Sequence, residues 1–262
     1  MITNIIKDKS TRLFIILGGI FICNALVAEV IGIKIFSLEA TLGLQPINLN
    51  IFNNNFSFNL TTGVLLWPVV FVMTDIINEY YGTRGVKFLS NLTVGLLAYA
   101  FLIFYLAIKL VPADWWITSK ASGGVPNMQN AFQQIFGQGI AIIVGSLIAF
   151  LLGQLIDVVV FHKIKKHTGE KYIWLRSTGS TLVSQLIDSF VVLFIAFYLI
   201  PKYITGNPWA FSLVLTICIG NYIYKFIVAV LLTPVIYIIH NIIEKYLGEE
   251  LADDLKKDAL IS

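Results

Sequence analysis

Two carboxylates and an amide share one face of a predicted helix at the end of an apolar segment. Asp75, Asn78 and Glu79 follow a run of Leu, Val, Phe and Met residues without a break. Positions i, i+3 and i+4 lie on the same side of a helix. Acids in such a setting are unfavourable unless a polar group meets them. The spacing favours contact with a polar solute, and an interfacial face anchored by Tyr80 and Tyr81 is the alternative.

The tetrapeptide Gln-Leu-Ile-Asp occurs twice, once near the end of one apolar segment and once near the start of the next. Gln154 and Asp157 belong to the first copy, and Gln185 and Asp188 belong to the second. In each copy the amide and the acid lie on one helical face. Because the two segments are antiparallel neighbours, both copies lie at similar depth. The repeat predicts a shared polar cavity, and a hydrogen-bond clamp between two helices is the alternative.

The last apolar segment carries Asn221 and Lys225 at i and i+4. A lysine several residues inside a membrane segment requires a carboxylate partner or an acceptor on a substrate. Asp188, Asp157 and Glu29 are candidate partners. Neutralisation by one of these acids and direct contact with a ligand are both open.

The first apolar segment carries Asn24, Glu29 and Lys34. In one interpretation Lys34 extends its amine to the membrane surface and Glu29 pairs with a neighbouring helix. In the other, these residues belong to a solute pathway, because ionisable groups inside a membrane usually serve function.

The composition is that of a membrane protein. The 262 residues are 57% hydrophobic and 13% charged, whereas soluble domains carry about 25% charged residues. Several apolar runs reach the roughly 20 residues that a helix needs to cross a bilayer. The predicted fold is all-α, a polytopic membrane protein with six transmembrane helices in a single transmembrane domain over 1–262. The predicted spans are 12–35, 60–80, 88–110, 138–161, 179–200 and 211–239.

Lysine and arginine predict the orientation. The loops on one side hold thirteen of these residues and those on the other side hold three, which places both termini in the cytoplasm. The net charge of +3 thus reports orientation and gives no reason to expect a nucleic-acid partner. The thirteen are Lys7, Lys9, Arg12, Arg84, Lys87, Lys163, Lys165, Lys166, Lys171, Arg176, Lys245, Lys256 and Lys257.

Smaller features predict local structure. The loop 36–59 is expected to form a small extracellular hairpin, and 127–136 a short surface helix or a lid. The turn 162–177 is expected to be solvated and basic. Pro68 and Pro234 fall inside predicted spans, where proline kinks or loosens a helix. A further stripe of small residues predicts close helix packing: Gly145, Ala149 and Gly153.

The sequence lacks the motifs of several enzyme classes. It contains no glycine loop for phosphate, no metal-ligand cluster, and no nucleophile with a histidine and an orienting acid. We therefore expect no enzymatic activity, no metal and no cofactor. The inward amides, acids, lysine and aromatic rings suit a flat, hydrogen-bonding heterocycle. A sugar or an amino acid is not excluded by these residues.

The chain resembles the queuosine-precursor transporter family, formerly grouped as vitamin uptake transporters, from the first helix to the last. The motifs that carry the resemblance are Trp67-Pro68, Thr74 to Gly82, Gly153 to Asp157 with Phe161, Trp174 to Arg176 with Ser180-Thr181, Gln185, Asp188, Phe194 to Phe197, Tyr224-Lys225 and Pro234. The resemblance implies a six-helix importer in the bacterial inner membrane. Its solutes are the 7-deazaguanine precursors of queuosine, such as the cyano and aminomethyl bases.

The resemblance and the polar spacing together predict a substrate site in the bundle. Membrane lipid and a small deazapurine are the expected partners, and a second copy of the chain is a further candidate. Facilitated diffusion and proton coupling through a carboxylate are both open, as are a membrane subunit of an ATPase uptake system and a non-transporting scaffold. The predicted substrate-binding residues are Asn24, Asp75, Asn78, Glu79, Gln154, Asp157, Gln185, Asp188, Asn221 and Lys225.

Overall fold

A bundle of long helices forms the protein. The computed structural model describes residues 7–45, 47, 49–51, 54–118, 125–137, 140–168, 172–204 and 206–261. A 3-10 turn spans Thr62–Leu65 and a π-helix spans Phe194–Leu199. The α-helices of the described residues are α1 (Lys9–Ile31), α2 (Leu38–Thr41), α3 (Trp67–Lys109), α4 (Asp114–Ile117), α5 (Met128–Phe136), α6 (Ile140–Thr168), α7 (Ile173–Leu193), α8 (Ile200–Ile204), α9 (Phe211–Leu247) and α10 (Glu249–Ile261).

Five helical segments are long and apolar enough to cross a membrane within the described ranges. They are Lys9–Ile31, Trp67–Lys109, Ile142–Thr168, Ile173–Tyr203 and Phe211–Leu247. This finding confirms an all-α polytopic membrane protein. The count differs from the six predicted spans because the helical parts of the predicted spans 60–80 and 88–110 belong to the single element α3, which begins at Trp67.

Gly82 interrupts α3 and divides it into a first arm, residues 67–81, and a second arm, residues 83–109. The φ and ψ angles of Gly82 are 65° and −169°, outside the helical region. Glycine adopts this conformation because it has no Cβ atom. The regular helix thus ends at Gly82, two residues past the end of the predicted span 60–80, and the chain resumes its helix at the next residue.

The two arms of α3 run in opposite directions along α1. At one end of the first arm, the Tyr81 ring centroid lies 4.9 Å from that of Phe14. Beyond its other end, a Cβ atom added at Gly63 would lie 2.7 Å from the Ala28 carbonyl oxygen, about four turns farther along α1. The second arm begins again beside Phe14, since Phe88 lies 6.5 Å from that ring. Gly82 therefore acts as the turn of a helical hairpin.

Four elements meet at the end of the bundle where α3 turns. They are the beginning of α1, the Gly82 turn, the end of α6 and the second half of α9. The contacts that join them are Tyr81 Oη to the Ser10 carbonyl oxygen at 2.8 Å, Arg12 Nε to Tyr246 Oη, Lys165 Nζ to the Glu79 carbonyl oxygen at 3.1 Å, and Tyr80 Oη to His240 Nδ1 at 2.9 Å.

Two small antiparallel strand pairs lie between α1 and α3. Strand β1 (Ile35–Ser37) pairs with β4 (Asn59–Thr61), and β2 (Leu49–Ile51) pairs with β3 (Asn54–Phe56). The pairing of β2 with β3 confirms a hairpin within 36–59, and α5 confirms a short helix within 127–136. The extracellular position of the hairpin and the role of α5 as a lid stay predictions. Glu39, in α2, accepts the Phe58 backbone N–H at 2.8 Å. Burial raises the pKa of this carboxyl group, but hydrogen bonds, led by the one from Phe58, outweigh burial and lower the pKa.

Small residues let α6 approach α7 closely, as their spacing predicts. A Cβ atom added at Gly145 would lie 3.1 Å from the Val192 carbonyl oxygen, and one added at Gly153 would lie 3.5 Å from Asp188 Cβ. The prediction for Pro68 is wrong. Pro68 occupies the first turn of α3, where the missing N–H has no helical acceptor to lose.

Candidate binding site in the helix bundle

A stripe of hydroxyl groups along α7 faces the first arm of α3 and α6. Ser177, Thr181 and Ser184 recur at steps of four and three, and Asp188 follows four residues later. This spacing keeps all four side chains on one helical face. Each hydroxyl donates a hydrogen bond to a carboxyl group of another helix. The stripe therefore positions the acids of its neighbours.

Asp75, on the first arm of α3, is the acid that receives most of these hydrogen bonds. Its Oδ2 atom accepts from Ser177 Oγ and from Thr181 Oγ1, the latter at 3.3 Å. Its Oδ1 atom accepts one longer bond, from Ser180 Oγ at 3.4 Å. The side chain is 2% exposed. Hydroxyl donors hold the carboxyl group in one orientation and leave Oδ1 the less occupied oxygen.

The first Gln-Leu-Ile-Asp copy lies against the same layer. Ser184 Oγ donates to Asp157 Oδ1 at 3.0 Å, and Thr74 Oγ1 donates to Gln154 Oε1 at 2.8 Å. Asp157 is fully buried and its carboxyl group interacts electrostatically with that of Asp75. The structure thus brings together the end of the first arm of α3 and the first copy of the repeat.

The second copy joins α7 to α9 through an ion pair. Asp188 Oδ2 lies 2.5 Å from Lys225 Nζ, and the two side chains are 17% and 7% exposed. Of the three acids that the sequence offers as partners for Lys225, Asp188 makes the contact. Glu29 of α1 interacts with the Ser146 hydroxyl and, electrostatically, with Asp188. The pair therefore faces a further acid from α1.

Glu79 is held in an ion cluster with two cations. Arg176 donates to both carboxyl oxygens, Nε to Oε2 at 3.0 Å and Nη2 to Oε1 at 2.8 Å. Lys165 Nζ lies 3.3 Å from Oε2. Such a two-pronged contact fixes the carboxylate geometry. Glu79 lies among these cations, whereas Asp75, one turn away, faces hydroxyl groups.

The prediction of a solvated basic turn over 162–177 is wrong for two of its residues. Lys165 and Arg176 are each 1% exposed. The cause is the length of the flanking helices: α6 continues to Thr168 and α7 begins at Ile173, so both cations lie on helices that pack beside Glu79. Sequence reasoning assigned these cations to the loop charge and missed their pairing with a buried acid.

Several buried polar atoms have no hydrogen-bond partner among the described residues. Both side-chain atoms of Asn78, Oδ1 and Nδ2, are in this state. Gln154 Nε2, Gln185 Oε1 and Asp157 Oδ2 share it. Burying such groups without partners is unfavourable. These atoms are the ones with spare capacity to bind a solute, a water molecule or an ion.

Asn24 and Asn221 lie apart from this layer in their hydrogen bonding. Asn24 Nδ2 donates to the Ile20 carbonyl oxygen at 2.8 Å, and Asn221 Nδ2 donates to the Ile217 carbonyl oxygen at 2.9 Å. Both bonds run to the preceding turn of the same helix. The described contacts thus give these two amides a local role, and their predicted contact with solute remains a prediction.

A small cavity of about 20 Å³ opens between the first arm of α3, α7 and α9. Its apolar walls are Pro68, Val72, Ala229, Leu232 and Ile236. Its polar lining consists of Asp75, Ser177, Thr178, Thr181, Gln185 and Lys225.

Three of these polar residues are predicted site residues and three are not. Asp75, Gln185 and Lys225 are the predicted ones, and the hydroxyl residues are the ones that sequence reasoning missed. The sequence pattern that could have identified the hydroxyl residues is the helical face that Ser177 and Thr181 share with Gln185. The lining offers a carboxylate acceptor, an amide and an ammonium donor between apolar surfaces, and these groups match the hydrogen-bonding edge of a small planar solute.

In comparisons with known proteins, the chain matches the model of one protein family. Residues 61–239 match the model of the family described as "Putative vitamin uptake transporter". The match covers the first arm of α3, α6, α7 and the part of α9 that carries Lys225. No solved structure matches the chain significantly.

Curated relatives match the chain over a similar share of its length. A Bacillus subtilis protein named "Probable queuosine precursor transporter" is 31% identical over 70% of this chain and 72% of its own length. A Haemophilus influenzae protein with the same name is 26% identical over 72% of each chain. The Escherichia coli "Queuosine precursor transporter" is 24% identical over 74% of this chain and 78% of its own.

Proposed function

Because the chain belongs to the family described as "Putative vitamin uptake transporter", we propose that it imports queuosine precursors. The chain is a multi-pass protein of the cell membrane with a transport role and is not an enzyme. The proposed solutes are 7-deazaguanine bases such as the cyano and aminomethyl forms. The proposed location is the bacterial inner membrane, with transport directed into the cytoplasm.

The cavity between α3, α7 and α9 is the observation that carries this proposal. A deazaguanine ring presents two adjacent N–H donors on one edge and a carbonyl acceptor beside them. A carboxylate accepts two such donors, and an ammonium or amide N–H donates to the carbonyl. Asp75 is the proposed acceptor, and Lys225 and Gln185 are the proposed donors. The apolar walls from α3 and α9 cover the ring faces.

The surplus of acids in the bundle supports the aminomethyl base as one solute. Asp75 and Asp157 have hydroxyl partners and Glu29 interacts with Ser146. A cationic amine that enters this layer gains favourable interactions with acids in a medium of low dielectric constant. The cyano base is neutral and depends on the hydrogen bonds of the cavity alone.

Six spans with both termini in the cytoplasm are the proposed topology. The break at Gly82 and the opposite directions of the two arms along α1 support the division of α3 into two spans. The basic loops flank the end of the bundle where α3 turns, and positive residues favour the cytoplasmic side. Apolar side chains exposed on the outer helix faces, such as Phe88, Val159 and Leu231, support contact with lipid.

Binding to the purified protein tests the solute class. Thermal unfolding is measured with a panel of purines and 7-deazapurines, and we expect the deazaguanine bases to raise the melting temperature. The Asp75→Asn variant should lose this shift, and Asp254→Asn, an exposed site on α10, should keep it. A response to sugars or amino acids but not to deazaguanines would contradict the proposal.

Uptake by the protein alone in liposomes distinguishes the remaining candidates. A self-sufficient carrier accumulates or exchanges labelled base without other subunits. Transport that requires added ATPase subunits would instead favour a membrane subunit of an uptake system. Binding and transport that are both absent from folded protein would favour a scaffold.

A further inference from the structure

Among the described residues of the bundle interior, acidic side chains outnumber the basic side chains that form ion pairs with them. The described acids of the bundle interior are Glu29, Asp75, Glu79, Asp157 and Asp188. Lys165 and Arg176 contact Glu79, and Lys225 contacts Asp188. Asp75 and Asp157 are instead held by serine and threonine hydroxyls. An isolated carboxylate in an apolar interior is strongly unfavourable, so this pair needs a neutralising partner.

The hydrogen bonds of Asp157 indicate the chemical nature of the neutralising partner that the pair of acids needs. Its Oδ1 atom accepts a hydrogen bond from Ser184, but its buried Oδ2 atom meets no donor within the described ranges. The neighbour across the helix interface is Asp75, another carboxyl group. Two carboxylates cannot bond to each other without a proton between them. When two acids share a site, retention of one proton removes their repulsion and supplies the donor.

The two acids occupy different environments. Asp75 lines the cavity, whereas Asp157 is not among the described residues around it. The Ser180 hydroxyl contacts both carboxyl groups. Asp75 therefore faces the cavity, and Asp157 lies outside its lining with the unoccupied oxygen. This arrangement separates the group that contacts solute from the group that stores a proton.

We propose that Asp75 and Asp157 bind one proton between them and that this proton moves with the solute. The proton reaches Asp75 through the cavity and passes to Asp157 Oδ2, and solute N–H groups then occupy the Asp75 oxygens. Release to the cytoplasm reverses these steps, so one proton and one solute cross together. The transport step rests on the proposed function, whereas proton binding does not. The other charged or titratable side chains of the bundle interior include Glu29 on α1, Glu79 and Tyr80 on α3, Lys165 on α6, Arg176 and Asp188 on α7, and Lys225 and His240 on α9.

A pH gradient across liposomes tests the coupling. The probe is labelled cyano-deazaguanine, whose charge stays the same in the range used, and potassium with valinomycin holds the membrane potential at zero. At one proton per solute, an interior more alkaline by one pH unit supports about tenfold accumulation. A protonophore should abolish the accumulation. Accumulation that follows a sodium gradient and ignores the pH gradient would overturn the proposal.

The Asp157→Asn variant separates proton coupling from transport. The ratio of pH-driven accumulation to exchange of labelled for unlabelled base should fall in Asp157→Asn to the value without a pH gradient, and Asp254→Asn should retain the wild-type ratio. Retention of pH-driven accumulation in Asp157→Asn would overturn the proposal.

Infrared spectroscopy of the solute-free protein gives a readout that needs no transport. Glu29 is a further buried carboxyl group able to hold a proton, so the measurement is repeated in the Glu29→Gln background. The C=O band of a protonated carboxyl group should be present at neutral pH in the wild type and in this background, and the addition of Asp75→Asn together with Asp157→Asn should remove it from the background. Absence of this band from the wild type would overturn the proposal. If the wild type neither binds nor exchanges base, the proposed function fails, and the infrared band then decides proton binding by itself.

Discussion

Lys225 Nζ lies 2.5 Å from Asp188 Oδ2, and this contact joins α9 to α7 at the edge of the cavity. Lys225 is 7% exposed and lines the cavity itself. Its ammonium group is therefore held beside the proposed solute position by an acid on the neighbouring helix. The pair is both a link between two helices and a means of keeping a charged donor in an apolar setting.

Removal of one member of this pair should destabilise the protein. Asp188→Asn leaves the Lys225 charge without its counterion. Loss of one partner of a buried pair costs about 3–5 kcal/mol, and we expect the lower end because Asp188 keeps 17% exposure. Unfolding in mixed detergent micelles measures the change.

The double variant Asp188→Asn with Lys225→Met is the matched control. It removes both charges, so its stability should lie closer to the wild type than that of Asp188→Asn. If the double variant loses as much stability as the sum of the two single variants, the two groups are not coupled.

Gly82 should be intolerant of a side chain. Its φ of 65° with ψ of −169° belongs to a region that residues with a Cβ atom avoid. Occupation of such a region costs about 1–3 kcal/mol, so Gly82→Ala should lower the free energy of unfolding by that amount. Gly95→Ala, on the second arm where an added Cβ meets nothing within 4 Å, should leave stability unchanged or slightly higher. Equal effects at both sites would contradict the hairpin turn.

Glu79 should matter for stability more than for solute affinity. Glu79→Gln leaves Arg176 and Lys165 buried without their acid, which costs about 3–5 kcal/mol. Arg176→Lys keeps the charge and loses the two-pronged contact, so a smaller loss of about 1.5–3 kcal/mol is expected. The dissociation constant for deazaguanine, measured on the folded fraction at low temperature, should stay within twofold in both variants. A large loss of affinity at retained stability would instead place Glu79 in the solute site.

The sequence predicted the burial of the acids and amides well, because a polar residue in a long apolar run avoids lipid by facing the interior of the bundle. Asp75, Gln154, Asp157 and Gln185 all lie in the interior of the bundle. Helical spacing alone shows that each pair shares a face. Direct contact with solute does not follow from spacing, because it depends on which polar atoms the protein satisfies itself.

The ion cluster of Glu79 could not be derived in the same way. Loop charges indicate which side of the membrane a segment occupies, and they do not tell which cation turns inward. That choice depends on how far α6 and α7 extend past the membrane surface, and helix ends are poorly defined by composition. The merging of two predicted spans into α3 has a different cause, since the polar residues between the spans interrupt the hydropathy pattern while the backbone resumes its helix directly after Gly82.

We predict that Asn78 lowers the stability of the folded protein and contributes to transport. Both polar atoms of this buried amide lack a partner among the described residues, and replacement by a similarly sized apolar group removes the cost of burying them. Asn78→Leu should therefore raise the free energy of unfolding by about 1–3 kcal/mol. Uptake of labelled base in liposomes should fall at the same time, because the amide no longer offers a donor and an acceptor to the solute or its water.

Asn91→Leu provides the matched control for this variant, because Asn91 is exposed on the second arm of α3. Its stability should change by less than about 0.5 kcal/mol, and its uptake should equal that of the wild type. Higher stability of Asn78→Leu with full uptake would remove Asn78 from the predicted substrate-binding residues. Lower stability would contradict the prediction, because it would require either a hydrogen-bonded amide, for example to buried water, or a leucine that does not fit the site.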